Sequence, residues 1–410
     1  MTGTLLENAQ ILDVRAGKMT DTRSVYIADG MIKEIGKGKI KAPADCQRIN
    51  LRGSTLMPGL CDAHVHVIVP INSFMALTKW SPFYAAYRAI PILEGMLMRG
   101  FTTVRDAGGA EFGLARAVEE GLLKSPRILF SGKALSQTGG HGDMRGPGET
   151  KQDEHYYVPS LGRICDGVDA VRLAARDEIR RGAHQIKLMM GGGIASYSDP
   201  ITFVQFSKDE VIAAVEEATN AERYVMAHAY TARSITHALT CGVRSIEHGN
   251  FIEDQSAKLM KQKDAFLVPT LTAYETMWKE GLEVGMPPEL HAKIKPVLDV
   301  GTQSLEVAKR FKLKMAYGTD LIGPLHRHQS LEFKIRSNVL SAIEVIRSAT
   351  LYAAELFQME HQIGVVEVGT RADLIAVDGD PLRDINVLME QGKFIPLIMK
   401  DGKIYKNLLN

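Results

Sequence analysis

Short apolar runs alternate with amphipathic segments through the middle of the chain. Eight runs have the length of buried strands, at residues 60–66, 102–106, 127–131, 185–189, 224–228, 245–248, 266–269 and 315–318. Helical periodicity separates them, at residues 168–181, 302–311 and 342–357, and a capping-box pattern at Ser207 and Glu210 opens a further helix. This alternation predicts an α/β fold, a (β/α)8 TIM barrel, with a doubly wound open sheet as the alternative.

The two ends of the chain carry a different pattern, of short strands joined by tight turns. Asp29 and Gly30 lie between two alternating segments, which predicts a hairpin with a type I′ turn. Similar strand patterns recur near the C-terminus, at residues 372–377, 397–399 and 403–405. Because chain termini often lie close together, we predict a small β-sandwich domain formed by residues 1–57 and 361–410, around a barrel of residues 58–360.

Composition and charge indicate a globular protein and argue against nucleic-acid-binding and membrane-spanning classes. The 410 residues, 45% of them hydrophobic and 24% charged, can bury a large core. A formal net charge of +1, without blocks of like charge, argues against a nucleic-acid partner, and no apolar stretch is long enough to span a bilayer. The first residues lack a secretory-signal pattern, so we predict a cytoplasmic protein whose four scattered cysteines are free thiols.

The segment of residues 57–66 ends in two histidines one residue apart, His64 and His66. Successive side chains on a β-strand point to opposite faces, so these two share a face. Two imidazoles on one face of a strand end can bind one metal ion. An isolated pair is equally typical of a polar strand end, so the prediction depends on further ligands elsewhere in the chain.

Further metal-type residues lie on the predicted strands or at their ends. In a barrel the C-terminal strand ends converge on one site, so six residues become candidate ligands: His64, His66, Lys187, His228, His248 and Asp320. Each has an ordinary structural explanation when taken alone; Asp320, for instance, also suits a turn. Their coincidence at strand ends favours a metal site. Four imidazoles and one carboxylate suit Zn²⁺ or a similar divalent ion.

Lys187 requires a separate explanation, because an ammonium group cannot ligate a metal. Burial between Ile186 and Leu188 would lower its pKa and favour the neutral amine. Condensed with carbon dioxide, that amine becomes an anionic carbamate able to bridge two metals about 3.5–4 Å apart. We therefore predict two divalent ions, Zn²⁺ being the expected metal, bridged by carboxylated Lys187. Asp320 would take the proton of the attacking water and deliver it to the leaving group.

The combined motifs resemble the amidohydrolase superfamily over almost the whole chain. They are the segment 58–66, the strand lysine Lys187, His228, His248 and the segment 318–320. Segments 139–143, 187–193 and 228–231 are similar to the imidazolonepropionase-like branch, and closest to its metal-dependent Xaa-Pro dipeptidase and carboxypeptidase subgroup. Imidazolonepropionase-type enzymes bind a single metal and lack the bridging lysine, so Lys187 favours the two-metal subgroup.

The resemblance also implies roles in substrate binding. By motif, His141 contacts the scissile carbonyl region and Tyr230 contacts the substrate α-carboxylate. The segment 270–274 shapes the pocket for the C-terminal residue, which makes Thr270, Thr272 and Tyr274 candidates. A histidine can donate to developing oxyanion charge, although a loop histidine can equally face water, and a tyrosine can equally pack on the barrel wall. Four more residues lie on predicted active-face loops without an assigned role: Arg145, His237, Arg327 and His328.

Together these observations predict a homo-oligomeric enzyme that hydrolyses an amide bond. The expected reaction releases a C-terminal amino acid, proline or another uncharged residue, from a dipeptide or N-acyl amino acid. No acidic residue lies between Pro269 and Tyr274, but Glu275 follows, so a basic specificity stays open. The alternatives are hydrolysis of a cyclic amide, lactone or other non-peptide substrate, and a non-catalytic scaffold.

Overall fold

The computed structural model describes residues 3–38, 40–145 and 158–409. Its N-terminal part consists of strands: β1 (Thr4–Asp13), β2 (Lys18–Ala28), β3 (Met31–Lys37), β4 (Gln47–Asn50) and β5 (Thr55–Pro58). The turn between β2 and β3 has a positive φ at Asp29 (53°) and at Gly30 (75°), which a type I′ turn requires. The hairpin predicted from the sequence is therefore confirmed.

In the described residues, the middle of the chain contains ten strands in two parallel sheets. They are β6 (Leu60–Val65), β7 (Phe101–Asp106), β8 (Arg127–Phe130), β9 (Ala134–Ser136), β10 (Gly162–Ile164), β11 (Gln185–Met189), β12 (Tyr224–Thr231), β13 (Ser245–Phe251), β14 (Phe266–Val268) and β15 (Lys314–Met315). One sheet has the order β6-β7-β8 and the other β10-β9-β11-β12-β13-β14-β15. All eight predicted strands are present, but β6 ends at Val65, so His66 lies one residue beyond it.

Backbone hydrogen bonds connect these two sheets along both edges. His184 N donates to Phe130 O at 2.8 Å, next to β8 and β11. On the other side, Ala63 N donates to Tyr317 O at 2.7 Å and Asp320 N donates to His64 O at 2.8 Å. The segment after β15 therefore lies against β6, the first of the parallel strands.

Helices follow most of the strands and pack on the outside of the two sheets. They are α1 (Phe74–Leu77), α2 (Pro82–Met98), α3 (Phe112–Glu119), α4 (Val168–Arg180), α5 (Lys208–Asn220), α6 (Ala232–Thr240), α7 (Asp254–Gln262), α8 (Leu271–Glu280), α9 (Pro288–Ala292), α10 (Ile294–Asp299), α11 (Gly301–Arg310), α12 (Leu331–Ser337), α13 (Ala342–Ser348) and α14 (Leu351–Leu356). Side chains of strands and helices form one large apolar core. No helix in the described ranges is both long and apolar enough to cross a bilayer.

The prediction of one continuous helix over residues 342–357 is wrong, because two helices meet there at a break. Thr350 has non-helical backbone angles, φ −136° and ψ −90°. The carbonyls at the end of α13 accept hydrogen bonds from β6 and from the segment after β15 instead of continuing the helix. Tyr317 N donates to Ser348 O at 2.9 Å and Cys61 N to Ala349 O at 2.7 Å. Contact with the strands thus overrides the helical periodicity of the sequence.

The C-terminal strands complete the sheet begun by the N-terminal ones. They are β16 (Leu374–Val377), β17 (Leu397–Lys400) and β18 (Lys403–Asn407). The resulting sheet has eight strands in the order β18-β17-β16-β5-β1-β2-β3, with β4 paired to β1. Leu6 and Val25 from one chain end share a core with Leu374 and Met399 from the other. The four cysteines are free and buried, as predicted.

Candidate metal centre

His64 and His66 point one ring nitrogen each toward Asp320. The Nε2 atoms of His64 and His66 lie 3.4 and 3.2 Å from Asp320 Oδ1. One ligand atom from each residue can be chosen so that all three lie within 4.8 Å of one another. His66 Nδ1 donates to Gly108 O at 3.0 Å, and His64 Nδ1 lies 2.7 Å from Glu247 Oε2. With both Nδ1 atoms occupied by acceptors, both Nε2 lone pairs are free for one ion.

Asp320 reaches this position through an unusual backbone conformation. Its φ is +52°, in the left-handed region that few residues other than glycine adopt. Its amide is held on His64 O, which brings the carboxylate to the histidine pair. Burial raises the pKa of Asp320, but the adjacent His64 and His66 rings lower it by more, so that the pKa lies well below its ordinary value. The carboxylate is therefore ionised, as a metal ligand must be.

His228 and His248 extend the cluster on the other side. The His248 ring centroid lies 4.9 Å from that of His64 and 4.7 Å from that of His228. His228 Nε2 donates to Gly192 O at 3.2 Å, so Nδ1 is its free nitrogen. His248 Nδ1 lies 2.7 Å from Thr270 Oγ1, which leaves Nε2 as its free nitrogen. Four imidazoles thus line one cavity. His228 and His248 each keep one free nitrogen, and the remaining nitrogens of His64 and His66 lie against Asp320, the third candidate ligand.

Lys187 is only 1% exposed and lies in the same space. Burial lowers the pKa of its amine to about 8, although Glu247 and Asp320 oppose the shift. A much larger fraction of Lys187 is therefore neutral near pH 8 than for a lysine in water. This is the form that carbamate formation requires.

The candidate ligands all line one cavity of about 50 Å³, and so do two candidate substrate-binding residues, His141 and Tyr230. Apolar side chains form the rest of its wall, among them Phe74, Leu161 and Met277. Polar groups from the strand ends and apolar groups thus share one cavity wall. This is the usual construction of a small-molecule site.

His141 covers the cluster from a loop. Its ring stacks on that of His228, with centroids 4.3 Å apart and planes inclined by 18°. Its Nδ1 lies 2.8 Å from Ser196 Oγ and 3.1 Å from Asp199 Oδ2. The ring also lies directly on Gly193, where a Cβ atom would come within 1.9 Å of His141 Cε1. Only glycine permits this close approach.

Of the tyrosine and threonine candidates, Tyr230, Thr270 and Tyr274 lie at the cluster, whereas Thr272 does not. Tyr230 lines the cavity, and its hydroxyl accepts a hydrogen bond from Tyr274 OH at 3.2 Å. Thr270 contacts both His248 and Tyr274, so its hydroxyl supports the cluster from behind. Thr272 instead donates through its amide and hydroxyl to Glu332, at 2.7 and 2.8 Å, and does not line the cavity.

Sequence reasoning missed the buried ion pair beneath the histidines. Arg105 Nη2 donates to both carboxylate oxygens of Glu247, at 2.9 and 3.0 Å, and both side chains are 0% exposed. Glu247 in turn holds His64. Burial raises the pKa of Glu247, but Arg105 and His64 lower it more, to about 2. A charged residue inside a predicted buried strand was the available signal for both residues.

Glu247 and His248 are neighbours in β13, yet both reach the cluster. Adjacent strand residues normally point to opposite faces. His248 has a φ of +73°, and the pairing of β12 with β13 shifts its register just after this position. The irregular backbone turns the two side chains toward the same space. Sparsely populated conformations of this kind concentrate at functional sites.

None of the four residues predicted on active-face loops lines the cavity, and His237 lies in α6 instead of a loop. Arg145 forms an ion pair with Asp143 at 2.6 Å, and His237 donates to Phe206 O at 3.1 Å. Arg327 and His328 both pair with Glu280. Their local partners account for them as structural residues.

Comparison with known proteins identifies the family. The amidohydrolase family model matches residues 55–405. An ochratoxinase from Aspergillus niger is 31% identical over 95% of this chain and 84% of its own. A solved prolidase complexed with N-methylphosphonate-L-proline is 46% identical, with a TM-score of 0.97 over 99% of this chain and 100% of its own. A solved Xaa-Pro dipeptidase with bound methionine in the active site is 32% identical, with a TM-score of 0.89 over 99% and 100%. The chain is a hydrolase and belongs to the amidohydrolase family.

Proposed function

We propose that this chain is a two-metal amidohydrolase that releases the C-terminal amino acid from a dipeptide or an N-acyl amino acid. The observation that supports it most is the meeting of four histidines, Asp320 and Lys187 in one cavity. A scaffold protein would have no need for six such groups in a shared space, since buried polar groups without partners destabilise a fold.

The donor set fits divalent metal ions. His64, His66 and Asp320 present two imidazole lone pairs and an ionised carboxylate within 4.8 Å of one another, a set that suits Zn²⁺. His228 and His248 would hold a second ion, and Lys187 would connect the two as a carbamate, supported by its lowered pKa. When bound, such ions polarise a carbonyl and activate water for attack at neutral pH.

The protein side chains account for the rest of the proposed reaction. The Asp320 carboxylate takes the proton of the attacking water and passes it to the leaving amide nitrogen. With His141 Nδ1 engaged by Asp199, its Nε2 is the atom that faces substrate, and when protonated it can donate to the carbonyl oxygen. The Tyr230 hydroxyl would donate to the substrate α-carboxylate.

Similarity to two solved peptidases supports the proposed substrate class. Prolidase and Xaa-Pro dipeptidase structures are 46% and 32% identical to this chain over nearly its full length. We propose proline or another uncharged residue as the released amino acid.

We also propose that the two parallel sheets join into one closed barrel. Hydrogen bonds along both edges of the parallel sheets support a (β/α)8 barrel of residues 58–360. The shared core of the terminal strands supports a β-sandwich of residues 1–57 and 361–410. The homo-oligomer and the cytoplasmic location stay predictions.

A substrate panel tests the proposed reaction. The zinc-loaded protein is assayed against dipeptides, N-acyl amino acids, lactones and cyclic amides, with the Asp320→Asn variant as the control for contaminating activity. We expect turnover of the open-chain amides that depends on Asp320. Hydrolysis of lactones or cyclic amides alone would contradict the proposed substrate class, and no hydrolysis at full metal content would favour the scaffold.

A further inference from the structure

Helix α2 is apolar on two opposite sides. Its inner side packs into the large apolar core through five buried residues: Ala85, Ala89, Leu93, Met96 and Leu97. Its outer side carries Phe83 and Tyr87, one turn apart and 76% and 71% exposed, and next to Phe83 lies Tyr84, 46% exposed. A helix that is apolar all round is normally covered on every side. The outer side of α2 therefore has the chemistry of a surface that another molecule covers.

A groove of about 490 Å³ lies between this side of α2 and the neighbouring helix α3. Phe83 and Tyr87 line it from α2. From α3 it is lined by Phe112, which is 49% exposed, and by the buried Leu114. Because an apolar cavity of about 150 Å³ accommodates benzene, this groove has room for more than one aromatic ring. We call the groove, together with the exposed rings of Phe83, Tyr84, Tyr87 and Phe112, the α2–α3 face.

The exposed area of the α2–α3 face matches what one side of a stable dimer requires. Weighted by their exposure, its four rings present roughly 500 Å² of mainly apolar surface, with about 200 Å² for a fully exposed aromatic side chain. Exposed apolar patches on monomeric proteins rarely exceed a few hundred Å². A standard interface buries about 800 Å² on each partner, a little over half of it apolar. The four rings therefore supply about the apolar area that one such interface needs.

The charges around the α2–α3 face are balanced. The charged residues that line the groove in the described part of the chain are one acid and one base, Glu111 and Lys133. Two ion pairs lie next to groove-lining residues: Arg116 with Glu120 at 2.6 Å and Lys124 with Glu94 at 3.5 Å. An identical copy brings the same charges, so a face of one sign would repel itself, whereas a balanced face does not. A nucleic acid or an anionic membrane would instead require a surplus of positive charge.

The α2–α3 face is also complementary in shape to itself. The exposed ring of Phe83 stands out from α2, and the groove beside it offers space that a ring of this size can fill. In a dimer with twofold symmetry the same patch of both copies meets, so each contact occurs twice. A ring from each copy can therefore fill the groove of the other.

We propose that the α2–α3 face is the interface of a symmetric dimer of this chain. Phe83 of each copy inserts into the groove of the other copy, on the side that Tyr87 lines. No described residue lines both this groove and the metal cavity, so the interface leaves the metal cavity uncovered. The proposal is therefore independent of the proposed reaction.

Analytical ultracentrifugation of the zinc-loaded full chain, over a range of protein concentrations, tests the proposal. We expect the parent protein to be at least dimeric. Phe83→Asp should raise the dissociation constant of the dimer at least about 100-fold, because a charge enters the apolar interface twice. Leu173→Asp is the matched control, since Leu173 is also an exposed apolar residue of a helix, 64% exposed in α4. It should leave the mass unchanged.

A mixing experiment tests the twofold arrangement. Tyr87→Lys alone should also dissociate the dimer. In a heterodimer of Phe83→Asp and Tyr87→Lys, one contact brings the new carboxylate to the new ammonium, and the symmetry-related contact keeps both original rings. An equimolar mixture should therefore associate at least about tenfold more tightly than either variant alone. Recovery in the mixture also shows that both variants fold.

Three results would overturn the proposed dimer. The first is a parent protein that stays monomeric at the highest concentration, or an assembly whose mass does not respond to Phe83→Asp. The second is a monomer that binds phosphatidylcholine vesicles through Phe83, which would assign the α2–α3 face to a lipid surface. The third is a mixture of Phe83→Asp and Tyr87→Lys that associates no better than either variant alone, which would exclude the twofold contact.

Discussion

The Nδ1 atom of His141 lies 3.1 Å from Oδ2 of Asp199, a carboxylate that is completely buried beside the metal ligands. The same oxygen accepts hydrogen bonds from Gly193 N and Gln205 Nε2. Lys293, in front of α10, donates to the carbonyls of Ser196 and Asp199, at 2.8 and 3.2 Å. The orientation of His141 is thus determined by a loop whose carbonyls are held by Lys293.

Asp199 is therefore expected to act as a positioning residue for His141. Asp199→Asn keeps the shape but weakens the hydrogen bond to Nδ1, so we expect kcat to fall about 100-fold while KM changes much less. Metal content, measured by atomic emission, should be unchanged. The control is Asp166→Asn, which removes a carboxylate bonded to Thr138 on a neighbouring loop. Equal kcat values for the two variants would argue against this role.

Glu247 is expected to contribute both to the stability of the protein and to its affinity for metal. Glu247→Gln leaves Arg105 without a charged partner in a fully buried place and weakens the hold on His64. We expect the free energy of unfolding to fall by about 3 kcal/mol. Zinc affinity should fall about 10- to 100-fold, as observed when a partner of a metal-binding histidine is lost.

A matched variant separates the two effects. Glu332 forms an equally buried pair with Arg336, at 2.7 Å, and neither residue lines the metal cavity. Glu332→Gln should lower stability similarly but leave zinc affinity unchanged in a chelator competition titration. Unchanged zinc affinity in Glu247→Gln would show that the pair only stabilises the fold.

Lys187 is expected to be required for retaining two metal ions. Lys187→Ala removes the amine that would form the bridging carbamate, so we predict loss of at least one ion per chain and of hydrolysis. Added short carboxylates, such as formate or propionate, should restore part of the activity. Lys400→Ala is the control. Burial also lowers the pKa of Lys400 to about 8, but this residue lies in β17 of the terminal sheet and donates to Ser125 O. Full activity of Lys187→Ala without added carboxylate would contradict the carbamate.

His184 is expected to contribute to acid sensitivity. Burial, and to a lesser extent Arg223, lowers its pKa to about 4, and Nδ1 accepts a hydrogen bond from Phe130 N. The unfolded chain, with an ordinary pKa near 6.5, binds the proton first, so stability is complete above about pH 6.5 and falls as the pH drops toward about 4. Between about pH 7.5 and about pH 5 this amounts to about 2 kcal/mol.

A variant that does not titrate tests this assignment. His184→Asn retains an acceptor for Phe130 N, so its free energy of unfolding, measured in urea at the two pH values, should depend less on pH by about 2 kcal/mol. Identical pH dependence of the variant and the parent protein would show that other groups cause the acid sensitivity.

The sequence alone predicted the parts of this protein that depend on local pattern. Alternation of apolar runs with helical periods located eight of the ten parallel strands in the described residues, because strands and helices bury different spacings of side chains. The Asp29-Gly30 turn followed from the need for a positive φ at both residues. The motifs around His64, Lys187 and Asp320 were sufficient to indicate the family to which the chain belongs.

Only the tertiary structure decided how distant residues meet. Arg105, Glu247 and Asp199 have ordinary neighbours in sequence, and their importance arises from partners far along the chain. The break between α13 and α14 depends on hydrogen bonds to strands, and Thr272 turns to Glu332 because that carboxylate lies behind α8. A second cavity, which shares a wall with the metal cavity, is lined by described residues from five parts of the chain. Local pattern determines which elements form, whereas the packing of those elements determines which side chains share one buried space.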